Sequence, residues 1–319
     1  MEIQPKNVQT NQIKYHFASK IEGQKLLAEN TEYYLKMNQV DIEWRIKKKG
    51  ATLEDLKAFS IECILEFNQN EKDYIRNSIE FIEESLHSYD FKLPFPKEDI
   101  IFIKTSMAEE GGASGYTHKT QIYLGENDFP KINFLMNEEK KKEILSNFNG
   151  LIAHEIFHCL TRNSSEFRRL MYSLIGFTIL DYELNFPPEI KNIIVNNPDV
   201  ERLDNYGEFT IDGVKRKCEL IIIYTKTWPE VEAEGRKNDL FFYYISSVLV
   251  PIDELNTYYP CNIVPDFLEK VGKNTPYTIA PEEILADNFK EIIIKSNVND
   301  FPNPDLLRNM IKAMKEWKL

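Results

Sequence analysis

The stretch Leu151–Leu160 reads LIAHEIFHCL, with His154 and His158 four apart and Glu155 directly after the first histidine. On a helix, side chains four apart stack on one face. Two imidazoles so placed can approach one zinc ion at about 2.0–2.1 Å. Glu155 then lies close enough to act as general base on a water that the metal activates, without ligating the metal itself. The competing reading is a helix whose two histidines share no task. The chain holds only 5 histidines, so this spacing is rare by accident. Leu145, Phe148, Leu151, Ile152 and Ile156 give the segment an apolar face that would bury it. A buried His-Glu-x-x-His needs partners for its polar groups, and a metal supplies them.

A catalytic zinc takes three protein ligands and leaves a position open. His158 is the last histidine in the chain, so no downstream histidine can be the third ligand, and a carboxylate is expected. PEEILADNF (281–289) offers Glu283 and, one helical turn on, Asp287. Glu283 could ligate the metal, and Asp287 could accept a hydrogen bond from the free nitrogen of a ligand histidine. A plainer account serves Glu282 and Glu283 as well, since negative charge is favoured in a first helical turn. Asp181 and Glu183 in LDYEL, and Glu208 and Asp212 in EFTID, are rivals for the ligand role. The last pair sits in a β-like run, where a four-residue spacing spans about twice the helical distance.

Around this centre the chain reads as α+β. Helices are expected at 51–67, opened by Thr52, and at 71–89, where Ile75, Ile79, Ile82 and Leu86 share a face. Strands are expected at 99–106 and 119–127, with 109–118 a loop or a twisted strand opening. The motif helix should cover 137–162 and a second helix 164–180. KCELIIIYT (217–225) and LFFYYISSVLVPI (240–252) are β-like. Helices at 281–296, with Pro281 in the first turn, and at 303–319 close the chain. These elements imply a small mixed sheet beside the active-site helix and a mostly helical C-terminal subdomain. They divide the chain into an N-terminal helical and extended segment, 1–68, and a domain, 69–319, with a large insertion at about 184–265. RIKKKG (45–50) reads as a solvated basic turn.

With 319 residues, the chain can bury a sizeable core. Its net charge of −12 argues against a nucleic-acid footprint or attraction to anionic membranes. No apolar run is long enough for a membrane span, and the first residues lack a secretory signal's apolar stretch. Cys63, Cys159, Cys218 and Cys261 form no CxxC pair, which suits reduced thiols in a cytoplasm. Cys159 should be core, and His16 and His87 surface.

His154, Glu155, His158, Glu283 and Asp287 together resemble the gluzincin zinc metallopeptidases, which carry HExxH on one helix and Glu-x-x-x-Asp on a later one. EEGGA…YT ahead of the motif helix and PEEILADNF look like a little-studied bacterial branch of that group, across roughly residues 70–315. The resemblance implies a zincin-like fold, one zinc ion per chain, and a peptide or protein substrate. It also implies a sheet edge, placed at GGASGYTHKTQIYLG (111–125), that pairs with an extended peptide. The long segment 159–282 between the two motifs departs from thermolysin's spacing and should wall or cover the site.

Peptide hydrolysis needs an oxyanion-stabilising donor. Tyr277 is the first candidate, followed by Tyr258 and Tyr259, then His118. The chain is thus expected to be a zinc-dependent peptidase with Glu155 as base. The alternative is a catalytically weak or latent zincin scaffold with a binding or regulatory task, and an intact Glu155 weighs against it.

Overall fold

The computed structural model describes residues 12–131, 138–295 and 297–318. The chain's first residues, Asn137 and Leu319, on which parts of the expectations above fall, lie outside them.

The first sheet contains β1 (Tyr15–Phe17), β2 (Ile64–Leu65), β3 (Ile100–Thr105), β4 (Gly115–His118) and β5 (Gln121–Gly125). Strands β1 and β5 flank β3 in parallel, while β2 pairs antiparallel with β3. Strand β4 pairs antiparallel with β5 and ends the sheet. The sheet is therefore mixed, as the pattern implied. Its outer strand is the GYTH of the expected edge, whereas QIYLG is paired on both sides.

Four helices precede or join this sheet: α1 (Lys20–Ala28), α2 (Thr31–Lys36), α3 (Gln39–Ile46) and α4 (Leu53–Glu62). Thr52 caps α4 in a reciprocal box with Asp55. This helix stops short of 67 because Ile64 and Leu65 leave it to pair with Thr105 and Lys104. Residues on both sides of position 68 thus share one sheet. The basic turn needs a correction. Lys48 and Lys49 are exposed, but Arg45 lies in the last turn of α3 and is buried. Its guanidinium meets Asp41 at 3.1 Å and Glu110 at 2.8 Å, and those two carboxylates make its burial tolerable.

Helix α5 (Gln69–Ser88) opens with the Asn68–Glu71 capping box and buries Ile75, Ile79, Ile82 and Leu86. It packs on α6 (Glu138–Asn163), which carries the motif. The second helix is shorter than expected. Helix α7 ends at Leu174 (Ser165–Leu174), Gly176 takes a left-handed φ of +76°, and Phe177–Ile179 becomes β6.

The β-like runs form a second, antiparallel sheet rather than part of a helical half. It holds β6, β7 (Asn205–Ile211), β8 (Val214–Tyr224), β9 (Ile245–Pro251) and β10 (Tyr259–Pro260), in the order β10-β9-β8-β7-β6. Short helices α8 (Pro188–Lys191) and α9 (Trp228–Ala233) sit in its connections. The chain then becomes helical as expected, through α10 (Phe267–Val271), α11 (Pro281–Ile294) and α12 (Pro304–Glu316).

The main core lies where α6 meets α11. Ile152, Ile156, Phe157 and Leu160 of α6 and Ile284, Leu285 and Phe289 of α11 are all fully buried. Each large side chain buried this way stabilises the fold by about 1.5–3 kcal/mol. The Phe157 and Phe289 rings lie 5.4 Å apart. This contact fixes the two helices that carry the motifs. Among the described residues, no helix is long and apolar enough to cross a membrane. All four cysteines are free and buried, Cys159 among the core.

Candidate metal centre

His154 and His158 stand one turn apart on α6 with ring centroids 4.8 Å apart. Helix α11 opens with Pro281, whose missing N–H costs nothing in a first turn. That start brings Glu282 and Glu283 against α6. His154 Nε2 lies 3.0 Å from Glu283 Oε2, and His158 Nε2 lies 3.7 Å from the same oxygen. Donor atoms of His154, His158 and Glu283 all lie within 4.8 Å of one another, so the three can hold one metal ion.

The outer nitrogens are also engaged. His154 Nδ1 is 3.2 Å from Asp287 Oδ1, the partner expected from the spacing. His158 Nδ1 is 3.3 Å from Glu282 Oε1, which Thr161 also reaches through its hydroxyl. Carboxylates beside both Nδ1 atoms orient the rings with their Nε2 atoms facing inward, where a bound cation would take the place of a proton on His154. His158 Nε2 is fully buried without a hydrogen-bond partner. An orphaned buried acceptor is costly, and a bound cation removes the cost. Five buried carboxyl groups, Glu155, Asp199, Glu282, Glu283 and Asp287, surround the two imidazoles, with Arg162 beside Asp199 and Lys290 beside Asp287. Two nitrogens and a carboxylate oxygen suit zinc.

Glu155 is buried beside the pair, and Thr117 of β4 donates its hydroxyl to Oε2 at 2.7 Å. Burial, then the charge of Asp199, pushes the Glu155 carboxyl up to about 7, against the lowering effect of His154 and His158. Gly115 lets the edge strand approach this group. A Cβ there would sit 2.6 Å from Glu155 Oε1. Burial would lower the His154 pKa, but hydrogen bonds to Asp287 and Glu283 hold it well above the ordinary range. Burial raises Asp199, and the charge of Glu283 raises it further.

A cleft of about 740 Å³ opens over these groups, lined by Ala113, Gly115, Leu151, Phe242, Tyr277 and Lys295 among others. Tyr277 also lines it, with its ring centroid 6.4 Å from that of His154. Burial of the phenol, then the charges of Glu283 and Asp199, keep it protonated well above the usual tyrosine range, so it remains a donor.

The other candidates fall elsewhere. Asp181 pairs with Arg169 at the surface, and Glu183 with Lys36. Glu208 is exposed on β7, and Asp212 turns the hairpin into β8 with φ +49°. Tyr258 and Tyr259 do not line the cleft. His118 is buried among the rings of Tyr33, Tyr116 and Tyr123, outside the cleft, and burial pushes its pKa down to about 3. His16 and His87 are at the surface.

Several site residues gave no usable signal in the sequence. Glu282 was explained by the helix dipole alone. Asn197 and Asp199 sit in NNPD (196–199), where the only local sign is a turn. Asn197 Nδ2 donates to Glu283 Oε1 at 2.6 Å. Asp199 Oδ1 accepts the Thr117 N–H at 2.7 Å and lies 3.9 Å from His158 Nε2.

The buried cluster is compatible with a zinc site, and the α+β architecture around it with a zinc-metallopeptidase-like fold. No protein-family model, no curated protein and no solved structure matches the chain.

Proposed function

We propose that this chain is a zinc-dependent peptidase of the gluzincin type. One observation carries the reading: the inward Nε2 atoms of His154 and His158 converge on Glu283 Oε2 beside a buried Glu155. His154, His158 and Glu283 would hold the metal, with Asp287 and Glu282 orienting the imidazoles. A zinc ion bound there supplies Lewis acidity, polarising a carbonyl and lowering the pKa of water.

The chain's own residues do the rest. Glu155, with its carboxyl near neutrality, takes a proton from the attacking water and passes it to the leaving amine. Tyr277, held protonated, donates to the oxyanion. The free edge of β4 offers backbone groups at Gly115 to an extended peptide. The Asp199 carboxylate already takes the Thr117 N–H and the Glu110 carbonyl the Ala113 N–H, so pairing would centre on Gly115.

A catalytically weak or latent metal-binding scaffold has one observation in its favour. Glu155, His158 and Asp199 also form a group able to hold a metal. A fourth protein ligand from Asp199 would close the site. The test is hydrolysis of a quenched fluorescent peptide library by chelated and zinc-reconstituted protein, beside Glu155→Gln. Turnover that needs both zinc and Glu155 supports the peptidase. Full zinc without turnover in either wild type or Asp199→Asn leaves the scaffold.

A further inference from the structure

A second cavity, of about 420 Å³, shares no lining residue with the cleft. That volume falls within the range of small-molecule sites. The cavity lies against the other side of two segments that build the candidate centre. Successive residues of a strand point to opposite faces. In β4, Thr117 turns its hydroxyl to Glu155, while His118 turns the other way and forms part of the cavity wall. In the loop at 196–202, Asn197 holds Glu283 and the Pro198 carbonyl accepts from Arg162, and both residues also line the cavity.

Two features of this space point to a ligand. His118 is only 5% exposed, and its Nε2 is fully buried without a hydrogen-bond partner. An orphaned polar atom of this kind is costly unless something beyond the chain pairs with it. The second feature is charge. Four carboxylates and three cations line the cavity, and several are spent on one another. Glu183 pairs with Lys36 and Arg202, and Glu201 with Arg162. Among the described residues, Lys119 and Glu32 form no ion pair, and both are exposed. A simple anion or cation entering here meets its own sign as well as the opposite one. A ligand that carries both charges meets a partner at each end.

We propose that this cavity is a second ligand site that takes a small zwitterion, a free amino acid or dipeptide, with its carboxylate at Lys119, its ammonium at Glu32 and a polar group against His118. Peptide hydrolysis releases molecules of that class. The link to the reaction therefore rests on the peptidase reading, while the site itself does not.

The test titrates alanylalanine by calorimetry into full-length, zinc-loaded Glu155→Gln, which should not consume it. The dipeptide should bind at one saturable site. Its acetylated form, which lacks the ammonium, and its amide, which lacks the carboxylate, should each bind about tenfold more weakly or worse. Adding Lys119→Met should weaken the dipeptide by a similar factor and leave the amide unchanged. Adding Glu32→Gln should do the same and leave the acetylated form unchanged. His118→Phe keeps a ring in place and removes the orphaned nitrogen, so it should lower the affinity without lowering the urea midpoint. Binding that is absent, that survives both Lys119→Met and Glu32→Gln, or that disappears when zinc is chelated and so belongs to the metal, would overturn the site. Dipeptide binding that passes these tests, in a protein whose wild type hydrolyses no peptide, would instead remove the peptidase reading and leave the site standing.

Discussion

Asn197 and Glu283 are joined by a 2.6 Å hydrogen bond from the amide nitrogen to Oε1, which leaves Oε2 as the oxygen turned toward both imidazoles. The loop that carries Asn197 is anchored one residue earlier. The Asp41 carboxylate accepts from the Asn196 N–H at 3.2 Å, and Arg45 donates to the Asn196 carbonyl at 2.7 Å. The geometry of the candidate metal centre is thus tied to a helix near the start of the chain.

Asn197→Ala should weaken metal binding by about 10–100-fold while leaving the fold intact, because the freed carboxylate can rotate away. Competition against a chromophoric chelator measures this. Asn197→Asp, which places a like charge against Glu283, should do no better than alanine.

Arg45→Met should destabilise the protein by about 3–5 kcal/mol, since it strands Asp41 and Glu110 in the interior. Urea unfolding midpoints of the variant and the wild type would show it. A change below about 1 kcal/mol would mean that the network is exposed in solution.

Tyr277→Phe should lower kcat by about 10²-fold with little change in KM, the pattern of a donor used in the transition state. A rise in KM alone would make Tyr277 a wall of the cleft and nothing more.

Asp266 gives a pH dependence away from the candidate metal centre. Burial opposes its ionisation, but Lys215 at 2.7 Å and the Thr210 N–H at 2.9 Å hold its carboxyl down to about 2, from an ordinary 3.8. A carboxyl lowered by folding stabilises the protein fully above its unfolded pKa, and the contribution fades as pH falls through the folded one. Asp266→Asn should therefore cost about 1 kcal/mol at neutral pH, a value that allows for screening by solvent. The difference from wild type should shrink between about pH 4 and pH 2. Denaturant titrations across that range would show whether the two curves converge.

Local pattern carried much of this fold. The stripe Ile75, Ile79, Ile82 and Leu86 places α5, and Thr52 marks the start of α4. HEIFH and EEILAD are each written on one helix, so their i, i+4 spacing was readable before the helices met. Gly176 was the sign that α7 ends early, hidden because the flanking residues keep an apolar pattern that suits helix or strand. The second sheet was harder to see because long-range pairing, not local preference, decides where β6 and β10 lie. Arg45 misled for a related reason. A basic run looks solvated until the fold brings Glu110 from another segment. Asn197 and Asp199 lie in a turn whose purpose depends on helices far away in the sequence.

The measurement that tests the central claim most directly is the metal content of purified protein by mass spectrometry, wild type beside Glu283→Ala. The account predicts about one zinc per chain in the wild type, lost or sharply weakened in the variant. No zinc in the wild type even after reconstitution, or full occupancy in Glu283→Ala, would contradict it.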